Sequence, residues 1–292
     1  MDITAVIPTM NEPAVQEVIK DVFKALEGHN VEVLVVDKSS DDTSQRAEQA
    51  GARVIYQFAR GYGDAYITGF KHLNDRCDII VMLDGDKTYD PLELPKLVEP
   101  ILRGQADFVL GNRFADLKKG AMGSRNKLGN KTITRFVNWL YDLQISDSQS
   151  GMRAFRKDVL DVIDLNLKGM PFATEMIIEA KRAGVRIAEV PISYYPRVGS
   201  AKLRPFKHGA SIFSTLLRML RDYNPLMLFG SLGAVVIIAG ILVGLRVIIE
   251  WILTGNIVHL ASAVLSALLI MSGLQIFLFG LIADIFVKKV RE

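Results

Sequence analysis

Near Asn224 the composition of this 292-residue chain changes abruptly. Up to that point charged residues are spread as in a water-soluble domain. Beyond it, Leu226 to Ile249 and roughly Ile257 to Ala283 are apolar runs, each long enough to cross a hydrocarbon core as a helix. A short link containing Glu250, Trp251 and Gly255 joins them. One such run also suits a buried helix of a soluble protein, but two in succession hardly do, so the pattern predicts a transmembrane hairpin. Arg246 interrupts the first run close enough to its end to snorkel, and Gln275 is the main polar residue inside the second.

The basic residues set an expected orientation. Lys202, Arg204, Lys207, Arg218 and Arg221 precede the first run, Lys288, Lys289 and Arg291 follow the second, and the link carries no Lys or Arg. The positive-inside rule then places both flanks in the cytoplasm. Met1-Asp2 leads directly into a strand-like segment without a signal-peptide pattern, so the N-terminal part is expected to face the cytosol at the cell membrane. The net charge of +3 is modest. Its clustering beside the apolar runs favours an anionic lipid surface over nucleic acid. The one cysteine, Cys77, excludes an internal disulfide and suits a core position before an apolar strand. The expected organisation is a domain over residues 1–205, a juxtamembrane segment over 206–224, the hairpin over 225–287 and a tail over 288–292.

Within the first domain strands and helices alternate. Ile3 to Ile7 reads as a strand. Pro13 opens a helix whose apolar face is Val15, Val18, Ile19, Val22, Phe23 and Leu26. Val31 to Val36 is a second strand, Thr43 to Ala50 a helix, Arg53 to Tyr56 a short strand and Asp64 to Leu73 a helix. Ile79 onward is a strand, Leu92 to Arg103 a helix and Phe108 to Gly111 a strand. This is the rhythm of an open, mostly parallel α/β sheet. Ser211 to Asp222 follows as an amphipathic helix, with Ile212, Phe213, Leu216, Leu217 and Leu220 on one face. Two roles fit it, lying in a membrane interface or packing on the preceding domain.

Ile79 to Asp86 reads Ile-Ile-Val-Met-Leu-Asp-Gly-Asp, a fully apolar run ending in two carboxylates. Such a run suits a parallel strand covered on both faces. Ligands of open α/β sheets bind at the carboxyl ends of these strands. Asp84 and Asp86 are therefore placed to share a divalent cation that also holds a diphosphate, although Asp and Gly are equally the chemistry of a plain turn. The first strand ends at Pro8-Thr9-Met10-Asn11-Glu12 and the second at Asp37-Lys38-Ser39-Ser40-Asp41-Asp42, on the same sheet edge. Asp37 is a candidate acceptor for base or ribose donors, while a helix cap before Thr43 is filled more naturally by Asp41 or Asp42.

These segments resemble the inverting family 2 glycosyltransferases. The strings Ile7 to Glu12, Val35-Val36-Asp37, Arg60-Gly61-Tyr62-Gly63 and Leu83 to Pro91 carry the likeness, in the family's order. The resemblance implies a GT-A nucleotide-sugar-binding fold, Rossmann-like in character. Further on, Gly111-Asn112-Arg113-Phe114, Asp147 to Arg153 and Pro196 to Leu203 are similar to the polyprenyl-phosphate branch, typified by dolichyl-phosphate mannose and glucose synthases. Arg113 to Asp116 and Ala121 to Asn130 look most like archaeal dolichyl-phosphate hexosyl or N-acetylhexosaminyl transferases of N-glycosylation.

The resemblance implies a donor that is a nucleotide-diphosphate sugar, favoured as UDP-hexose or UDP-N-acetylhexosamine with GDP-mannose as the alternative, and an acceptor that is dolichyl or polyprenyl phosphate. It implies that Pro8, Glu12 and Asp37 hold the nucleotide, and that Asp84 and Asp86 bind Mg2+ or Mn2+ and the donor. Arg113 and Arg125 would contact phosphates, and Arg197 and Lys202 the acceptor phosphate; Asp86, Asp147 and Arg197 are the catalytic candidates. Asp147 would orient the acceptor, assist the metal or cap the segment before Gly151. Where mannose synthases have a metal-binding Gln this chain has Thr88, where many relatives have a second Asp it has Lys38, and where an aromatic is common it has Met10. Convergent Arg and Lys are what a site crowded with anionic phosphate oxygens requires. A non-catalytic nucleotide-sugar-binding membrane protein would need neither metal nor Arg197. A polysaccharide synthase would need a longer membrane channel. The oligomeric state, a homo-oligomer included, is left open.

Overall fold

The computed structural model describes residues 1–57, 61–165, 172–198, 214, 217, 220–221, 224–256 and 259–289. The chain divides into two compact units, Met1–Ser211 and Ile212–Glu292.

The first unit is built on a seven-stranded mixed sheet. Its strands are β1 (Asp2–Thr9), β2 (Asn30–Asp37), β3 (Arg53–Tyr56), β4 (Ile79–Met82), β5 (Phe108–Leu117), β6 (Arg153–Arg156) and β7 (Ile187–Tyr194), in the order β3-β2-β1-β4-β6-β5-β7. β1 pairs in parallel with both β2 and β4, β2 with β3 and β5 with β7, whereas β6 runs antiparallel to β4 and β5. The chain winds outward from β1 to β3 and then returns to place β4 on the other flank of β1. The crevice between the β1 and β4 carboxyl ends is thus a topological switch point, where ligands of such sheets bind.

Helices cover both faces. α1 (Val15–Ala25) buries Val15, Val18, Ile19 and Val22, the stripe its periodicity sets. With α4 (Leu94–Leu102) it packs over Ile3, Ala5, Ile7, Val33, Val35, Ile79 and Val81, the alternate residues of the central strands. α2 (Thr43–Gln49) lies between β2 and β3 in the chain. α3 (Tyr62–Phe70) and α7 (Phe172–Arg182) belong with an aromatic stack in which Tyr66 lies flat on Phe172 at 5.8 Å and Phe70 meets Phe155 edge-on at 5.7 Å. α5 (Ser124–Tyr141) and the short α6 (Val159–Val162) complete the unit.

The expected strands and helices up to Gly111 are present, with ends shifted by a few residues. The helix expected over Leu92 to Arg103 is a 3-10 turn, Pro91–Glu93, running into α4, with the Asp90 carboxylate accepting from the Leu92 N–H at 3.0 Å. β5 continues to Leu117, and β6, β7, α5 and α7 extend the fold beyond the segments read from periodicity. Most of the amphipathic segment Ser211 to Asp222 lies outside the described residues.

The second unit is a pair of helices, Pro225–Thr254 and Leu260–Lys289. Both are long and apolar enough to cross a membrane. Their seam is made of small residues: a Cβ on Gly233 would lie 2.6 Å from the Gly273 carbonyl oxygen, and the Ser266 hydroxyl donates to the Gly240 carbonyl at 2.8 Å.

Candidate active site

Because β1, β2 and β4 run in parallel, Thr9 to Glu12, Asp37 and Asp84 to Asp86 emerge on one edge of the sheet. β6 runs the other way, so the segment before it, Asp147 to Gly151, reaches the same edge, as do Gly111 to Arg113 on β5 and Tyr194 to Arg197 after β7. The topology therefore collects nearly every residue singled out from the sequence.

Asp84 and Asp86 differ in their surroundings. Asp86 is buried, and its Oδ1 accepts from the Thr88 N–H (3.0 Å) and hydroxyl (2.6 Å). Thr88 thus orients this carboxylate. Asp84 is partly exposed, yet its Oδ1 is buried and has no hydrogen-bond partner. Burial first and the Asp86 charge second push the Asp84 carboxyl up to about 7, while the Tyr62 hydroxyl, Arg113 and Arg197 act in the opposite direction. Burial and the Asp84 charge push Tyr62 well above the usual phenol range, keeping its hydroxyl a donor. A Cβ on Gly151 would lie 2.7 Å from the Tyr62 hydroxyl and 3.3 Å from Asp84 Oδ2, so a glycine is needed for the Ser150-Gly151 turn to close on Asp84. The Gly151 N–H donates to the Tyr89 hydroxyl at 2.7 Å.

An orphaned carboxylate oxygen beside a second carboxylate fits a hard divalent cation. Among the described residues no group of three or more His, Cys, Asp or Glu is arranged to hold an ion. Two protein oxygens, with the rest from phosphate and water, is the usual arrangement for Mg2+.

Arg197 caps this pair. Its Nη2 donates to Glu12 Oε1 at 2.5 Å, its Nη1 lies 3.4 Å from Asp86 Oδ2, and its Nε is buried without a partner. The Val198 N–H donates to the Asp86 carbonyl at 3.1 Å and anchors the segment that carries it.

Asp37 faces Thr9 in register across β1 and β2, and is fully buried. Its Oδ1 accepts from the hydroxyls of Thr9 and Ser39, both at 2.6 Å, and its Oδ2 from the Ser39 N–H at 3.1 Å. The side chain before α2 is held by Asp41, whose Oδ1 accepts from the Thr43 N–H at 3.0 Å, so Asp37 is not the cap. Pro8 is partly exposed beside Val36.

Arg113 and Asp147 form a buried bidentate pair, with Nε to Oδ2 at 2.6 Å and Nη2 to Oδ1 at 2.8 Å. The Arg113 guanidinium lies 5.2 Å over the Tyr194 ring. Glu189 on β7 fixes the Asp147 loop by accepting from the N–H groups of Ser146 and Asp147 at 2.9 Å each. Asp147 is thus turned toward Arg113 rather than toward Asp84. Arg125 is exposed in the first turn of α5 and is not brought to this cluster. Lys202 and Arg60 lie outside the described residues.

Tyr62, Tyr89, Thr88, Gly151 and Glu189 shape the site without having been assigned a place in it from the sequence. Tyr62, Tyr89, Thr88 and Gly151 stand inside the quoted motif strings, which is the signal that marks them. Glu189 sits in a strand with no motif and has no such signal.

Comparison with known proteins accords with this geometry. A family model described as glycosyl transferase family 2 matches residues 4–164. The glycosyltransferase AglJ of Haloferax volcanii is 35% identical over 98% of this chain and 93% of its own length. A dolichyl-phosphate hexose transferase of the same organism is 36% identical over 75% of this chain and 93% of its own. Among solved structures, glucosyl-3-phosphoglycerate synthase of Mycobacterium tuberculosis, in complex with Mn2+, UDP and glucosyl-3-phosphoglycerate, superposes with a TM-score of 0.57 at 26% identity, covering 74% of this chain and 78% of that one. The expected GT-A fold is therefore the observed one, and the chain belongs to glycosyl transferase family 2.

Proposed function

We propose that this glycosyltransferase moves a sugar, with inversion, from a nucleotide-diphosphate sugar to polyprenyl phosphate, with dolichyl phosphate favoured as acceptor and UDP-hexose or UDP-N-acetylhexosamine as donor. The observation that carries this reading is the buried, unpartnered Oδ1 of Asp84 beside Asp86 at the sheet's switch point, capped by Arg197. The dolichyl-phosphate hexose transferase among its relatives supports the acceptor, and two helices apolar enough to span a bilayer supply the anchor a lipid substrate calls for. The UDP and Mn2+ held by the mycobacterial synthase support the base and the metal.

Asp84 and Asp86 would hold a divalent ion, which when bound neutralises charge on the departing diphosphate. Thr88 and Tyr62 aim the two carboxylates. Glu12, Pro8 and the Thr9–Asp37–Ser39 cluster hold the nucleotide, Asp37 acting by fixing its two hydroxyl neighbours. Arg197, bound to Glu12 and Asp86, exchanges the Asp86 contact for a phosphate oxygen when the substrates enter. Arg113, kept straight by Asp147, supplies a further phosphate contact, and Lys202 belongs with the acceptor phosphate. A phosphate monoester is largely dianionic at neutral pH, its second pKa being about 6. The nucleophile therefore arrives deprotonated and no side chain has to remove a proton. The catalytic unit and both flanks of the hairpin lie on the cytoplasmic side of the cell membrane.

Membranes containing the protein, incubated with dolichyl phosphate and a panel of radiolabelled nucleotide sugars, test this directly. The expected result is one sugar transferred from a UDP donor to a lipid whose mass is that of dolichyl phosphate plus the sugar, with loss of product in EDTA. Transfer from GDP-mannose alone would replace the favoured donor, and no lipid product with any donor would defeat the reading.

A further inference from the structure

We infer that α5 is a docking surface for anionic phospholipid headgroups. From Leu117 to Tyr141 the chain carries six Lys or Arg and no Asp or Glu. α5 buries only Thr134 and Val137 of its 18 residues. Leu128, Lys131, Arg135 and Trp139 follow the three- and four-residue steps that place side chains on one helical face. That face is the outward one: Leu128 is 68% and Trp139 66% exposed, and Lys131 and Arg135 are exposed between them. Among the described residues no carboxylate pairs with Arg125, Lys127, Lys131 or Arg135.

Lys131 lies 5.5 Å over the Phe114 ring, and among the described residues neither it nor Arg135 has its charge balanced by a carboxylate. An exposed tryptophan and leucine interleaved with such cations suit the headgroup region, where an aromatic ring sits at the apolar boundary and long cations reach the phosphates. The occupant is argued from charge and tethering. The helices Pro225–Thr254 and Leu260–Lys289 keep the chain at a bilayer, and the acid-free basic face complements a surface of negative lipid. This rests on the proposed membrane anchoring but on neither the sugar nor the acceptor, so it stands or falls separately from the reaction.

The full chain contains two tryptophans, Trp139 and Trp251. With Trp251→Phe, Trp139 becomes the only reporter. The protein is reconstituted in phosphatidylcholine liposomes with and without added phosphatidylglycerol, each also made with lipids brominated high on the chain. Docking predicts that Trp139 emission moves to shorter wavelength and is quenched by bromine in the phosphatidylglycerol liposomes, and that rising NaCl reverses both. Each basic residue near a charged surface is worth about 1 kcal/mol, so Lys131→Gln with Arg135→Gln should weaken the docked state roughly thirtyfold. Both side chains are exposed, and an unchanged melting temperature verifies that the variant is folded. Water-like, unquenched Trp139 emission in both liposomes overturns the inference. So does quenching that is equal in the two and indifferent to salt and to the charge variant.

Discussion

The two carboxylates after β4 are asymmetric, and substitution should separate them. Asp86→Asn is expected to lower turnover by at least a hundredfold while the protein remains folded, because the amide keeps the Thr88 hydrogen bonds but loses the charge that holds a cation and faces Arg197. Full activity of this variant in excess EDTA would remove the metal from the account. Asp84→Asn should also abolish turnover, but with a gain in stability. A carboxyl raised to about 7 keeps its proton in the folded state at pH values where the unfolded chain has lost it. Its ionisation therefore makes stability fall as pH rises from about 4 to about 7. In EDTA at pH 8 the neutral amide should raise the melting temperature by a few degrees, on the order of 1 to 3 kcal/mol, and flatten that pH dependence. A lower melting temperature would mean that Asp84 is stabilised rather than strained. The Arg113–Asp147 pair predicts the reverse. Asp147→Ala leaves a buried guanidinium without its bidentate partner and should cost about 3 to 5 kcal/mol in chemical denaturation, whereas replacing both by apolar residues of similar volume should cost less.

At the scale of elements, the legible parts were those in which a period or a run carries the signal. α1 announces itself by its apolar stripe and β4 by four consecutive buried residues. β6 does not: it is only Arg-Ala-Phe-Arg, and Arg153 is fully buried, donating to the Ser150 and Ser148 carbonyls. A buried arginine inverts the polarity rule on which strand reading depends, and the antiparallel sense of β6 follows from long-range pairing that no local pattern encodes. α5 was hidden for another reason, since it buries only Thr134 and Val137 and so carries no apolar stripe of helical period. The site shows the same division. Asp84 and Asp86 are placed by strand geometry, while the Arg113–Asp147 pair joins residues 34 apart in sequence and becomes visible only when β5 and β6 meet. In the helical hairpin the close approach at Gly233 is the weak point. Gly233→Leu would drive a side chain into the Gly273 carbonyl and the Phe277 backbone, and should force the helices apart. The expected readout is loss of disulfide trapping between cysteines placed at Gly244 and Ser266, where a Cβ on Gly244 would lie 3.6 Å from the Ser266 Cβ, with trapping retained when the exposed Leu232 is changed to Ala as the control.

Across the whole molecule, a soluble nucleotide sugar and a membrane-embedded acceptor can meet only at the bilayer surface, and only on the side where the nucleotide sugar is found. The anchoring hairpin therefore has to place both of its flanks on that side. The helices Pro225–Thr254 and Leu260–Lys289 are each about 45 Å long at 1.5 Å per residue, enough for the hydrocarbon core and part of the headgroups. Their connection at Gly255 carries no Lys or Arg, while basic residues crowd both flanks, which is the basis of the proposed orientation. Cys77 is buried, so a background in which it is replaced by Ser gives a chain free of thiols for labelling. A cysteine introduced at Gly255 should then react with an impermeant maleimide added to intact cells, and a cysteine at Glu292 should react only after the cells are opened. Labelling of Glu292→Cys from outside, with Gly255→Cys protected, would put the carboxylates of β4 on the wrong face for a cytosolic donor. Equal labelling of both would show that the pair of helices does not cross the membrane at all. In either case the reaction proposed for the crevice between β1 and β4 would lose its route from a cytosolic donor to a lipid acceptor.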